Sequence, residues 1–180
     1  MTTYIALLRA INVGGYRKIK MQDLREMLKK MGFTSIQTYI QSGNVIFDSE
    51  ETDARNLSKS IEEQILSDFG HDVPVMIRTR EQLKNLIEKN PFDGQDEDPF
   101  MLYVTFFLEP PSENKQQELA ALTSDIERFE FLNGELFSLI DKKTDQKVNF
   151  SNAFVEKIIG IPGTGRNWRS VNRIYEMAAD

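Results

Sequence analysis

The sequence predicts an α+β fold made of two ferredoxin-like βαββαβ-type subdomains, with an additional helix at the C-terminal end. Two observations predict it: strand-like and helix-like apolar patterns alternate in that order over the first 78 residues, and the order then restarts after an acidic stretch that contains prolines. The predicted subdomains span residues 1–78 and 100–180. A connecting helix and an acidic linker occupy residues 79–99 between them.

The first half carries the clearer pattern. Residues 3–8 form a short apolar run typical of a strand. Apolar residues at positions 21, 24, 28 and 31 have the spacing of an amphipathic helix, which Gly32 ends. Residues 35–41 and 45–47 read as strands joined by a tight hairpin at Ser42-Gly43-Asn44, since glycine and asparagine tolerate positive φ. A helix over 57–69 and a strand over 73–78 complete the unit.

The second half repeats this order. A strand over 101–108 precedes a helix over 112–122 with Ser112 as its N-cap. Strands over 128–132 and 135–140 flank Asn133-Gly134, a strong hairpin signal, and a helix over 151–159 follows. The pattern then predicts a terminal helix where the sixth strand would stand. We interpret the two halves as a duplication on the order of their elements, because their residue-level similarity is weak.

Composition limits the classes of function. The chain has no cysteine and one histidine, His71, in an apparent turn, which excludes thiolate zinc sites and cysteine nucleophiles. No apolar run reaches the roughly 18 residues that a membrane span needs. No signal peptide is visible, so we expect a cytoplasmic protein without cofactor or metal, as a monomer or a homodimer. Whether it is an enzyme stays open, because a general base would have to be a carboxylate, lysine or tyrosine.

Positive charge is concentrated at the two ends of an acidic chain. Residues 1–22 carry four cations and no acid, and residues 163–175 carry three cations and no acid, although the net charge is −6. Each segment also contains glycines. Glycine, backbone amides and arginine are the groups that anion sites use.

We therefore hypothesise that the loop over residues 9–20 and the segment 164–173 converge on a small anionic or phosphate-bearing ligand. Asn167 is the predicted N-cap of the terminal helix, and arginines near that helix start oppose its dipole unless an anion or a carboxylate lies nearby. Trp168 is expected to pack in the core or to stack on a ring. The candidate ligand-binding residues are Arg9, Asn12, Gly14, Gly15, Arg166, Asn167, Trp168 and Arg169, with Gly165 as a further donor and with Ser42 and Asn44 at the rim.

Two alternatives remain open. The basic segments suit a protein-interaction module that docks an acidic partner or the acidic body of a second copy. A local single-stranded nucleic-acid reader is also open, because Tyr4, Tyr39 and Phe47 could lie on a sheet of RRM order. The missing RNP1 pattern and a pI near 5 make nucleic acid the weaker alternative. Neither a P-loop nor a Rossmann glycine motif is present.

Three segments together resemble one bacterial family, the domain of unknown function 1697. They are ALLRAINVGG at 6–15, TYIQSGNVIF at 38–47 and TGRNWRSV at 164–171. The resemblance implies a cytoplasmic α+β protein of duplicated ferredoxin-like layout, and it implies no activity. Ala10 and Gly165 depart from the family pattern. The positions in pattern are Asn12, Gly14, Gly15, Arg166, Asn167 and Trp168.

Overall fold

The structure is a computed structural model and describes residues 1–179. The chain divides into two compact units. Unit 1 comprises Met1–Leu83 together with the chain from Arg173 onward, and unit 2 comprises Lys84–Asn172. No helix within the described residues is long and apolar enough to cross a membrane.

Unit 1 is a four-stranded antiparallel sheet with two helices packed on one face. The strand order is β2-β3-β1-β4, which is that of a ferredoxin-like βαββαβ unit. A further helix, α3, begins directly after the last strand. The elements are β1 (Thr2–Leu8), α1 (Met21–Lys30), β2 (Thr34–Tyr39), β3 (Asn44–Ser49), α2 (Ala54–Phe69) and β4 (Val75–Thr79), and α3 (Arg80–Glu88) begins in unit 1 and continues into unit 2 at Lys84.

The core of unit 1 follows from two residue periodicities. Alternate residues of β1, Tyr4, Ala6 and Leu8, point to the helix-covered face, as the period of two in a strand requires. The helices α1 and α2 bury residues spaced by three and four, such as Leu24 and Leu28, against that face. Each fully buried aliphatic or aromatic side chain contributes about 1.5–3 kcal/mol.

Unit 2 has the same architecture. Its sheet order, β6-β7-β5-β8, corresponds strand by strand to that of unit 1, which supports a duplication. The elements are β5 (Phe100–Phe107), α4 (Glu113–Ala120), β6 (Glu127–Leu132), β7 (Glu135–Asp141), α5 (Asn152–Ile159) and β8 (Gly163–Asn167), and α6 (Trp168–Met177) begins in unit 2 and continues into unit 1 at Arg173.

Local signals at the helix ends are confirmed. The Ser112 hydroxyl accepts a bond from the Lys115 backbone N–H at 3.4 Å. Asn167 Oδ1 accepts one from the Ser170 N–H at 2.8 Å, which is the N-cap pattern predicted for the last helix. Gly32, predicted to end the first helix, follows the C-cap of α1 with φ 91°, a conformation that favours glycine, and Gly70 ends α2 in the same way with φ 71°.

The prediction that a helix replaces the sixth strand of unit 2 is wrong. Gly163–Asn167 form β8, which pairs with β5 from Phe107↔Gly163 to Tyr103↔Asn167. The two glycines in this segment resemble a loop. At Gly163, however, a Cβ would lie 3.0 Å from the Phe107 ring, so glycine allows the two strands to approach around that ring.

Candidate functional site

The loop that joins β1 to α1 is held by the side chain of Asn12. Its Nδ2 donates to the carbonyl oxygens of Ile19 at 2.9 Å and Gln41 at 2.8 Å, and its Oδ1 accepts from the Ile19 N–H at 2.9 Å. Both amide protons of Asn12 are thus used. This predicted ligand donor ties the loop to itself and to the hairpin between β2 and β3.

The tip of the loop is a tight turn. The Tyr16 N–H donates to the Val13 carbonyl at 3.0 Å. Gly14 and Gly15 between them have φ 57° and 81°. Positive φ at both central positions defines a type I′ turn, which requires residues such as glycine. The turn accounts for both glycines, and their contact with a ligand stays a prediction.

The hairpin after β2 packs closely on the end of β1. The Leu8 N–H donates to the Gly43 carbonyl at 2.8 Å. A Cβ on Gly43, whose φ is 86°, would lie 2.6 Å from Leu8 Cβ and 2.9 Å from Ile11 Cδ1. Only glycine fits this position without displacing its neighbours.

Asn44 and Ser42, predicted at the rim of the site, contribute to the hairpin itself. Asn44 Nδ2 donates to the Tyr39 carbonyl at 2.9 Å and to Ser42 Oγ at 3.0 Å. Asn44 is fully buried, whereas Ser42 is half-buried. The two side chains therefore help to shape the turn against which the loop over residues 9–20 is fastened.

A cavity of about 550 Å³ lies beside this loop and belongs entirely to unit 1. Lys20 is the N-cap residue of α1 and forms no side-chain cap. The first helical bond runs from the Leu24 N–H to the Lys20 carbonyl, so the three preceding N–H groups have no intrahelical acceptor. The lining residues are Asn12, Gly15, Lys18, Ile19, Lys20, Met21, Asp23, Gln41 and Phe69.

Sequence reasoning identified the loop but not all of the residues around the cavity. Asp23, Gln41 and Phe69 come from α1, the hairpin and the end of α2, and no shared motif connects them. Asp23 could have been noticed as an acid in the first turn of a predicted helix. The positions of Gln41 and Phe69 beside the cavity depend on the fold.

Arg166 occupies β8 in unit 2, where sequence reasoning expected the entry to a helix. It is 7% exposed. Its Nη1 donates to Thr164 Oγ1 at 2.7 Å and to the Gly165 carbonyl at 2.9 Å. Burial lowers the pKa of Arg166 to about 10, so the guanidinium stays charged at neutral pH.

The neighbours of Arg166 at the start of α6 have different roles. Asn167 caps the helix, and Arg169 is exposed. Trp168 is half-buried with its ring centroid 6.1 Å from that of Phe137, which agrees with the packing role.

Arg9 lies at the end of β1 and is half-buried, and its backbone N–H donates to the Pro74 carbonyl at 3.0 Å. Arg9 belongs to unit 1, whereas Arg166, Asn167, Trp168 and Arg169 belong to unit 2. The prediction that the two basic segments form one site stays a prediction.

Two of the three aromatic residues invoked for nucleic-acid binding, Tyr4 and Phe47, lie in the core, whereas Tyr39 is half-buried on β2. Tyr4 and Phe47 are opposite each other on β1 and β3, with ring centroids 5.9 Å apart, and both are buried beneath the helices of unit 1. These two rings cannot stack on bases, so the nucleic-acid alternative keeps only Tyr39 of the three. Within residues 1–179 no group of three or more metal-ligating side chains is assembled.

Comparison with known proteins gives a family and a fold. The chain resembles the structure of a conserved bacterial protein, SP0830 from Streptococcus pneumoniae. The two are 22% identical, the match covers 98% of each chain, and the TM-score is 0.72. A search of curated proteins gives no match. Residues 1–137 match the family model described as "Protein of unknown function (DUF1697)". The chain therefore belongs to the DUF1697 family.

Proposed function

We propose that unit 1 binds a small anionic or phosphate-bearing ligand in the cavity beside the loop over residues 9–20. One observation carries the proposal: the N-terminus of α1 meets Lys18 and Lys20 at a single cavity. The unbonded N–H groups and the positive end of the helix dipole both favour an anion at this position.

The local charge supports the same ligand class. Lys20, at the N-cap, lies at the positive end of the helix dipole, where a cation costs about 0.3–1 kcal/mol, and a bound anion would offset that cost. Asp23 supplies one negative charge in the first turn of the helix. The charges of Lys18, Lys20 and Asp23 therefore leave an excess of one cation around the cavity.

The volume and the lining residues of the cavity limit the class of ligand. A volume of about 550 Å³ lies within the range of small-molecule sites. Met21 and Phe69 add apolar surface to the charged groups. A ligand with an anionic group and an apolar or ring portion, such as a sugar phosphate or a nucleotide, would satisfy both parts.

The bonds of Asn12 and the close packing of Gly43 hold the loop in one shape before any ligand arrives, which lowers the entropic cost of binding. This site does not require Arg166 or Asn167, whose side chains already bond inside unit 2. Their share in ligand binding, like that of Arg9, Trp168 and Arg169, stays a prediction. A cytoplasmic location likewise remains the expectation from composition.

Thermal shift and calorimetry with inorganic phosphate, nucleotides, sugar phosphates and dicarboxylates test the proposal. A ligand at 100 times its Kd should stabilise the protein by about 2.7 kcal/mol, or roughly 5–10 °C. Lys18→Gln and Lys20→Gln should weaken binding, and Asp23→Asn should strengthen it. Lys30→Gln, at the other end of α1, is the matched control. Equal affinities in all four variants would contradict the proposal, as would the absence of any stabilising compound.

A protein-interaction module is the second candidate. Val13, Tyr16 and Ile40 are large apolar residues that are 61%, 79% and 52% exposed, and all three lie in the loop or in the adjoining hairpin. Sedimentation of the parent and of Tyr16→Ser, at several salt concentrations, tests whether this apolar tip mediates self-association. An unchanged monomer throughout would count against the homodimer form of this candidate.

A further inference from the structure

A second cavity in unit 1, of about 700 Å³, runs between α1 and the start of β2. We call it the α1–β2 groove. One face of α1 supplies Gln22, Arg25, Glu26 and Lys29, at the helical spacing of three and four. Phe33 and Ile36 provide an apolar floor.

The strand beside the groove is an open edge. The strand β2 ends the sheet order β2-β3-β1-β4, so within residues 1–179 one side of its backbone has no neighbouring strand. Native proteins usually protect such edges with charged residues or proline, yet residues 32–47 contain neither. A register irregularity between Thr34 and Gln37, which is another form of edge protection, interrupts the part of β2 that lines the groove and leaves residues 37–39 beside it as the regular open edge. These three residues keep regular pairing with β3.

The groove has a basic rim. Arg25 Nη1 donates to Thr38 Oγ1 at 2.6 Å, which holds its guanidinium against β2. Lys29 is exposed on the same helix face. The one acid of the rim, Glu26, accepts a bond from Gln22 Nε2 at 3.3 Å. The residues that line the groove include two cations and one acid, a net charge of +1 in a chain of net charge −6, so the rim complements an acidic partner.

We propose that the α1–β2 groove binds an extended, acidic segment of a partner protein, which adds to β2 as a further strand. Main-chain bonds to an open edge provide affinity in this mode, and alternate side chains provide specificity. One set of side chains would reach the apolar floor, and acidic ones would lie near Arg25 and Lys29. Only a peptide backbone can continue the hydrogen-bond ladder of β2, which favours a peptide over a nucleic acid.

A phage-displayed library of 12-residue linear peptides provides the probe. We expect selected peptides to combine acidic residues with alternating apolar ones. The best binder, synthesised with a fluorophore, is then titrated by anisotropy. Lys29→Glu should weaken its binding about three- to tenfold, since the change removes one exposed attraction and adds a repulsion. Lys30→Glu, one residue on and outside the groove, should change binding less than twofold.

Backbone N-methylation of the peptide distinguishes strand addition from a simple charge effect. Methyl groups on alternate amides that face β2 should weaken binding at least tenfold, and those on the intervening amides should not. The proposal is overturned if no peptide is selected, if Lys29→Glu and Lys30→Glu act equally, or if no N-methylation matters. It is also overturned if single-stranded RNA, or a second copy in sedimentation, shows the same dependence on Lys29.

Discussion

Gly43 is the position where a single methyl group should do the most damage to the proposed site. The added Cβ would lie 2.6 Å from Leu8 Cβ and 2.9 Å from Ile11 Cδ1, well inside ordinary contact. The hairpin would have to move away from β1. That movement would weaken the bond from the Leu8 N–H to the Gly43 carbonyl, and with it the frame of the loop.

The loss of stability expected for Gly43→Ala follows from a comparison with Gly70. Both glycines have positive φ, 86° and 71°, but a Cβ on Gly70 would meet nothing within 4 Å. Gly70→Ala should therefore cost only the left-handed backbone penalty, about 1–2 kcal/mol. Gly43→Ala should add about 1–3 kcal/mol of overpacking, for a total of about 2–5 kcal/mol.

Hydrogen exchange at the β1 amides, above all Leu8, is the appropriate assay. Trp168, the only tryptophan, lies in unit 2, so its fluorescence would report the wrong part of the chain. We expect Gly43→Ala to lose more protection at Leu8 than Gly70→Ala does. Equal losses in the two variants would refute the steric reasoning.

Three further predictions concern unit 1. Asn12→Ala should destabilise unit 1 by about 2–4 kcal/mol, because it removes three side-chain hydrogen bonds and a residue suited to φ 54°. Urea unfolding measures this loss against Asn12→Gly, a variant that also lacks the bonds but tolerates the positive φ. Asp53→Ala should cost about 1 kcal/mol by removing the N-cap of α2, measured the same way. Bonds from the backbone N–H of Asp53, from Asn56 and from the Thr52 N–H lower the pKa of Glu51 below its usual 4.5. Glu51→Gln should thus be less stable than the parent above pH 4.5, and the difference should shrink as the pH falls below that value.

The fold could be predicted from the sequence because the patterns that mark its helices and hairpins are local. Apolar spacing defined the helices, and Ser42-Gly43-Asn44 and Asn133-Gly134 marked the hairpins. The strand β8 was missed because Gly163 and Gly165 resemble a loop. The reason for glycine at 163 is the Phe107 ring, more than fifty residues away, and local pattern carries no such information.

The candidate site could be predicted from the sequence only in part. Charge and glycine content singled out the loop over residues 9–20. They did not reveal that both amide protons of Asn12 are used within unit 1, or that Arg166 is buried. Residue type suggests what a side chain can bind. Which partner it meets depends on tertiary packing.

An NMR titration of ¹⁵N-labelled protein with inorganic phosphate, and then with the best compound of the thermal screen, tests the central claim most directly. The account predicts chemical-shift changes concentrated in residues 15–23, at the first amides of α1, and their loss in the Lys18→Gln, Lys20→Gln double variant. Shifts centred elsewhere, or unchanged in that variant, would contradict the account.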